Sequence, residues 1–217
     1  QNIAQLFKDW NNNLNSYLID ISSKKILEKI DDEYLLEKID DIADDNGTGR
    51  WMLNYGVELG CSLSMLSSAL NTRFISKLKS ERNELNKSIK QNSLEYKVDI
   101  NSLKNAYKFC RLVNYIQAFC LINSANKNYN WQISILKALN VWSNGSIIKS
   151  SLINDLYSNY FVENILNDKK IIKDLNESKS DLINIITLSL KNDISIPCFN
   201  DALEYFNSIS NNSLSTN

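Results

Sequence analysis

The run Asn46-Gly47-Thr48-Gly49-Arg50-Trp51, with Arg73 further along, holds the residue types in this chain best suited to gripping an anion. Two glycines around a threonine let the backbone approach a ligand closely or adopt φ > 0, and a helical pattern begins directly after them. Such a helix start presents N–H groups without intrahelical partners at the positive end of the helix dipole, an arrangement suited to phosphate or carboxylate. Arg50 and Arg73 add positive charge. The same run also reads as a plain turn whose threonine caps the helix. Arg73 steps with Leu63, Leu66, Leu70, Lys77 and Leu78 at helical spacing, so it lies on or beside an apolar stripe. There it needs either an anion or a carboxylate, because burying an unpaired guanidinium is costly.

Other chemistries are poorly supplied. The chain has no histidine, which removes the commonest general base, the usual zinc ligand and every Ser-His or Cys-His nucleophile pair. Cys61, Cys110, Cys120 and Cys198 show no paired spacing; Cys110 and Cys120 fall on one predicted helix, roughly 15 Å apart. They read as reduced, mostly buried thiols of a cytoplasmic protein. Asp40, Asp41, Asp44 and Asp45 read as a solvated face rather than an acid/base dyad, because adjacent side chains on a helix point apart. No spaced set of oxygen ligands with a turn glycine recurs, so no metal site is expected. The formal net charge of −1 steers the protein toward neither nucleic acid nor an anionic membrane. No apolar run approaches the ~20 residues of a membrane span, and the first residues show no targeting signal.

The elements that must position these residues are helices. Of the 217 residues, 43% are hydrophobic, while only five are glycine and one is proline; this poverty of turn formers predicts an all-α fold of long helices with short polar loops. Ile3, Leu6, Phe7 and Trp10 mark a first helix, and Leu14, Leu18, Ile21 and Ile26 a second after a break at Asn11-Asn12-Asn13. Leu35, Leu36, Ile39 and Ile42 mark a third. A short helix follows over about 50–58, ended by Gly60, and Ser62 caps a long one. Gln91 to Tyr96 reads as a linker between two helical halves, roughly 1–92 and 97–212. Asp99 caps the next helix, which runs down to Ala125. Helical spacing returns over 131–142, Ser143-Asn144-Gly145-Ser146 makes a turn, and Ile147 begins another helix. Leu182, Ile185, Ile186 and Ser189 lie on a late helix that stops before Pro197; Phe199, Leu203 and Phe206 start the last one. No alternating run predicts a strand.

Several ordered motifs then combine: Phe7-x-x-Trp10-Asn11, Ser16-Tyr17-Leu18-Ile19, Ala43 leading into Gly47-Thr48-Gly49-Arg50-Trp51, Arg73-x-x-Ser76-x-x-Lys79-x-x-Arg82, Tyr115-x-Gln117-x-Phe119, Trp131 with Trp142, Gly145-x-Ile147-Ile148-Lys149-Ser150, and Pro197-x-Phe199-x-x-Ala202-Leu203. Together they resemble the carboxy-terminal helical domain of 6-phosphogluconate dehydrogenase over essentially the whole chain. The resemblance implies a decarboxylating dehydrogenase of the pentose phosphate pathway, in which NADP takes a hydride from 6-phosphogluconate and loss of carbon dioxide gives ribulose 5-phosphate. It implies that the helical domain supplies much of the substrate pocket and a homodimer interface, that a Rossmann domain outside this chain binds NADP, and that Thr48 and Arg73 hold the substrate phosphate. Gly47 and Gly49 shape the turn.

The departures from the family are specific. Asn46 stands where the family has a phosphate-contacting lysine, and loss of a charged hydrogen bond costs ~1.5–3 kcal/mol. Arg50 replaces a lysine and is a candidate substitute for that charge. Trp142-Ser143-Asn144-Gly145 replaces a Trp-Arg-Gly-Gly. The resemblance places the catalytic lysine and glutamate on a helix before the first one here, and an arginine and histidine that reach the neighbouring subunit beyond Asn217, so no catalytic residue is expected within these 217 residues and the chain alone is expected to be inactive. The expectation is a piece of a working enzyme; the alternatives are a catalytically decayed relative and a helical scaffold that serves only assembly.

Overall fold

The computed structural model describes residues 2–90, 97–159 and 165–214. In chain order the elements are α1 (Asn2–Leu14), α2 (Tyr17–Lys25), a hairpin of β1 (Lys29–Ile30) and β2 (Glu33–Tyr34), α3 (Leu35–Lys38), α4 (Thr48–Glu58), α5 (Ser64–Ser76), α6 (Lys79–Ser88), α7 (Ile100–Tyr129), α8 (Ile135–Gly145), α9 (Ser151–Asn159), a 3-10 turn (Ile165–Asn167), α10 (Lys169–Lys191) and α11 (Pro197–Ile209). The fold is all-α, as composition predicts.

The chain forms two compact units, 1–41 with 131–163, and 42–130 with 164–217. The halves expected at roughly 1–92 and 97–212 meet at the Gln91–Tyr96 linker, which lies outside the described residues; the contacts group the chain along other lines. In the first unit α1 packs on α2 and α8 on α9. The Ser151 hydroxyl donates to the Leu14 carbonyl at 2.8 Å, and the Tyr17 N–H donates to the Lys149 carbonyl at 3.2 Å. Trp10, Leu14, Leu139 and Ile153 are buried there.

In the second unit α7 lies along α10 and α11, and α5 packs on α11. Phe109 and Phe119 of α7, Leu175 and Leu182 of α10 and Ala202 of α11 are all but inaccessible, and the Phe109 ring meets Phe206 edge-on at 5.3 Å. The long helices begin on side-chain caps. Asp99 accepts from the Asn101 N–H, and Asp168 from the N–H groups of Lys170 and Ile171, satisfying donors that a helix start leaves unpaired. Pro197 opens α11 at a position where its missing N–H costs nothing.

Local chemistry accounts for several departures from expectation. No break occurs at Asn11-Asn12-Asn13, because α1 runs on to Leu14; Asn15 takes a positive φ of 41° and the Asn11 side chain accepts from the Ser16 N–H at 2.7 Å. The third helix is four residues long, leaving Ile39 and Ile42 exposed. Ahead of it stands an unexpected small hairpin, whose Asp31-Asp32 turn has positive φ at both residues, the geometry that matches strand twist in two-residue hairpins. The long helix expected from Ser62 starts instead after Leu63 and divides into α5 and α6, since Leu78 leaves the helical region at ψ 50°. Ser143 to Gly145 stay within α8, and the next helix starts at Ser151 rather than Ile147. Cys61 and Cys110 are buried, but Cys120 is exposed.

Candidate functional site

The Gly-Thr-Gly turn sits where α4 begins, against α5 of the same unit. Gly47, not Thr48, is the N-cap, and it adopts φ 87°, a left-handed conformation that costs a side-chain-bearing residue energy. Thr48 is therefore the first helical residue. A Cβ on Gly49 would stand 3.0 Å from Leu70 Cδ2, and one on Gly56 2.5 Å from Leu63 Cδ1. Both glycines let α4 approach α5 and the residues leading into it more closely than alanine would.

A cavity of about 610 Å³ opens at this junction, lined by Asp44, Asp45, Asn46, Thr48 and Gly49 on one side and by Leu66, Ala69, Leu70 and Arg73 of α5 on the other. Residues 25 positions apart, Thr48 and Arg73, thus share one wall system, although nothing local to either requires it. Arg73 is exposed rather than buried in the apolar stripe. Its Nη1 donates to the Asp44 backbone carbonyl at 2.6 Å. Neither of the partners anticipated for it, a bound anion or a side-chain carboxylate, is needed to hold the side chain in place.

The approach to Thr48 is organised by short side chains. Asn46 Oδ1 accepts from the Thr48 N–H at 3.3 Å and from its hydroxyl at 2.8 Å. Asp45 Oδ1 accepts from the Gly47 N–H at 2.9 Å and from Arg50 Nε at 3.1 Å. The Asp45 side chain is only 8% exposed, so it is not part of a solvated face; residues 42–46 are not helical, and neighbouring side chains there are not splayed apart as they are on a helix. Arg50, the candidate substitute for the charge absent at Asn46, points its guanidinium at Asp45 and is not among the lining residues.

Sequence reasoning missed Lys77, Ser76 and Asp44 as parts of this site. Lys77 Nζ lies 2.6 Å from Asp44 Oδ1, and that hydrogen bond and charge hold the Asp44 carboxyl below the usual carboxylate range. The Ser76 hydroxyl accepts from the Ala43 N–H at 2.9 Å and donates to the Arg73 carbonyl at 2.7 Å. The end of α5 is therefore fastened to the segment that leads into the turn. The one sequence signal available was the spacing of Arg73 and Lys77, one helical turn apart and hence on one face.

Gln117 of α7 supports the other end of α5. It is 2% exposed; its Oε1 accepts from the Met65 N–H at 3.4 Å and its Nε2 donates to Ser64 Oγ at 3.0 Å. Leu63, the N-cap, makes no side-chain cap bond. A residue more than 50 positions away does that work. Among the described residues no group of three or more His, Cys, Asp or Glu side chains is placed to hold a metal ion, and no helix is long and apolar enough to cross a membrane.

Comparison with known proteins matches the sequence and the fold of this chain to a family. The family model described as "6-phosphogluconate dehydrogenase, C-terminal domain" matches residues 1–217. A decarboxylating 6-phosphogluconate dehydrogenase of Staphylococcus epidermidis is 30% identical over 226 aligned residues, covering 99% of this chain and 48% of that protein. The corresponding enzyme of Lactococcus lactis is 27% identical over 227. Among solved structures, a Plasmodium falciparum 6-phosphogluconate dehydrogenase, studied in apo form and in complex with NADP+ and with 6-phosphogluconate, superposes with a TM-score of 0.91 at 28% identity, over 99% of this chain and 49% of that one. The chain spans about half the length of the relatives it matches. By that full-length match, the chain belongs to the 6-phosphogluconate dehydrogenase family, as its C-terminal, all-helical domain.

Proposed function

We propose that this chain is the substrate-binding and dimerisation part of a decarboxylating 6-phosphogluconate dehydrogenase, and that the cavity between the Gly-Thr-Gly turn and α5 receives the phosphate of 6-phosphogluconate. The observation that carries this reading is the placement of Thr48 and Arg73 on one cavity, in a chain whose whole length matches the family. A hydroxyl and a guanidinium suit a tetrahedral dianion, because the guanidinium fork offers several parallel N–H donors and keeps its charge at any working pH. Here the Asp44 carbonyl occupies one Nη1 donor and leaves others for a ligand. The Thr48 hydroxyl donates to Asn46 Oδ1, and in this reading it is the group that turns to a phosphate oxygen of the substrate. Asn46 then serves as an acceptor that orients Thr48 rather than as the cation the family carries there.

The remainder of the reaction belongs to groups beyond this chain. NADP, bound by a separate domain, accepts the hydride, and the lysine and glutamate that move protons lie on that side. This chain's own contribution is to bind and orient the sugar phosphate. Trp51 and Tyr55, one turn apart on α4 and 63% and 52% exposed, with Val57 at 77%, support an association role, because so much apolar surface on one short helix suits contact with a second subunit or domain. We place the protein in the cytoplasm as a homodimer, with 6-phosphogluconate and NADP as its ligands and no nucleic acid or membrane partner.

A second reading, a catalytically decayed relative kept for assembly, is favoured by one observation: two acidic residues, Asp44 and Asp45, are among those lining the cavity and position 46 is an asparagine rather than a lysine. The test is NADP reduction by 6-phosphogluconate, using the protein as its natural reading frame encodes it, with Arg73→Ala beside the wild type. Turnover by the wild type, with a KM for phosphogluconate raised roughly ten- to a hundredfold in the variant and an unchanged KM for NADP, supports the enzyme reading. A folded dimer without turnover supports the decayed one.

A further inference from the structure

We propose that Cys61 and Cys120 form a redox-modification site, a dithiol that hydrogen peroxide or a small-molecule disulfide converts reversibly into a bridge between the α4–α5 connection and α7. The inference stands apart from the phosphate-binding reading above.

The two residues stand 59 positions apart in sequence and meet only in the fold. Cys61 follows α4, just past Gly60, and Cys120 lies on α7. The Cys61 Sγ donates to the Cys120 carbonyl at 3.8 Å, and the two thiols are close enough to hydrogen-bond with each other. Cys61 is only 8% accessible, whereas Cys120 is exposed. One sulfur is thus within reach of a small oxidant and the other stands behind it, the arrangement of an attacking and a resolving thiol. The connection has room to follow the sulfurs as they close to bonding distance: at Gly60, with φ 65°, a Cβ would meet no atom within 4 Å among the described residues. Cys110 and Cys198 are placed differently. Cys110 is buried, and the Cys198 Sγ donates at 3.6 Å to the Met65 carbonyl.

With a peroxide as oxidant the step balances. The Cys120 thiol gives up its proton, the thiolate breaks the O–O bond to become a sulfenic acid, and the hydroxide released takes up that proton as water. The Cys61 sulfur then displaces the sulfenic oxygen, an S–S bond forms, and the oxygen leaves with the Cys61 proton as a second water. The two sulfurs lose two electrons and the peroxide gains them. Burial, and after it the Cys61 thiol, push the Cys120 thiol up, against a smaller opposite pull from the Ser124 hydroxyl and Lys127. Tyr205 of α11 faces the same pair and stays a neutral phenol, its pKa pushed up by burial to about 12. With the thiolate scarce at neutral pH, oxidation is slow there and quickens as pH rises. The bridge fastens the start of α5 from the same side as Gln117, which lies one turn before Cys120 on α7 and holds Ser64 and Met65. Closing so long a loop also restricts the unfolded chain.

The protein as its natural reading frame encodes it is treated with hydrogen peroxide, or with oxidised glutathione, at pH 7 and at pH 9, then blocked with maleimide, digested and read by mass spectrometry. We expect a linked pair of peptides carrying Cys61 and Cys120, separated again by dithiothreitol and formed several-fold faster at the higher pH. Cys61→Ser should stop the peroxide reaction at a Cys120 sulfenic acid that dimedone traps, and Cys120→Ser should leave Cys61 reduced. The oxidised wild type should unfold at a urea midpoint about 0.5–1 M above the reduced protein, a rise that Cys61→Ser abolishes. If the linked pair is absent from the folded wild type with both oxidants, or forms only in urea, the proposal is overturned. A midpoint that does not rise on oxidation overturns it as well, since a bridge that strains the junction is not one the fold has placed.

Discussion

Replacing Gln117 by methionine tests whether the cavity depends on a support from outside it. Methionine fills nearly the same length and volume as glutamine, so packing around the position is largely kept. What is lost is the acceptor for the Met65 N–H and the donor to Ser64 Oγ. Met65 is 8% exposed, so its N–H has little access to water, and an unmet buried donor costs about 1–3 kcal/mol. The bond is long, at 3.4 Å, which places the cost toward the lower end of that range. Ser64 is only partly buried and recovers its loss from solvent. The expected destabilisation is about 1–2 kcal/mol, which at a urea slope of roughly 2 kcal/mol/M lowers the midpoint by about 0.5–1 M with the slope unchanged. Urea denaturation followed by circular dichroism measures it. A midpoint within about 0.2 M of the wild type would refute the reasoning and show that the start of α5 finds its partners without α7.

Gly56→Ala is expected to lose stability despite the ~1 kcal/mol that alanine gains over glycine in a helix, because its Cβ would stand 2.5 Å from the buried Leu63 side chain and 3.4 Å from the Cys61 carbonyl, and overpacking of this kind costs ~1–3 kcal/mol. A variant as stable as the wild type in the same urea assay would mean that Leu63 swings aside. Asp99→Ala should lower the urea midpoint at pH 7 and do so less and less in acid: hydrogen bonds from the Ser102 hydroxyl and the Asn101 N–H hold the Asp99 carboxyl below its usual range, so its stabilising effect is present above the unfolded value near 3.9 and vanishes as pH falls through the folded one. A difference from wild type as large at pH 2 as at pH 7 would show that the cap does not act through its charge. The Arg73→Ala effect on the KM for phosphogluconate completes the set.

The helices were legible where a local rule sufficed. Asp99 caps α7, Pro197 opens α11, and Gly60 adopts a φ of 65° just past α4, because caps and left-handed turns depend on residues within one turn of each other. The apolar spacing of Ile39 and Ile42 misled, since only Leu35–Lys38 is helical there and four residues cannot offset the cost of helix nucleation without packing. Ser62 looked like a cap but Leu63 takes the place: the support for α5 comes from Gln117, and a glutamine near the middle of another helix carries no sequence mark of that role. Of the acidic run, Asp40, Asp41 and Asp44 are exposed as expected, and Asp45 alone was misread, for a related reason. The Asp45 side chain is enclosed by its bonds to the Gly47 N–H and Arg50 because the segment turns instead of continuing as a helix.

What the sequence determined by itself was the helical character of the chain, its ordered family motifs and the pair of residues, Thr48 and Arg73, worth watching. Periodicity, capping and turn chemistry are local, and a motif at fixed spacing survives in the sequence as written. Tertiary structure decided which partners those residues keep: Arg73 on the Asp44 carbonyl, Arg50 on Asp45, Lys77 on Asp44, Thr48 with Asn46. Every cation near the cavity had several acidic neighbours within reach along the chain, and the choice among them depends on how closely α4 and α5 approach. That approach is set by the glycine contacts with Leu63 and Leu70 and by the support from Gln117, distances that no sequence spacing encodes.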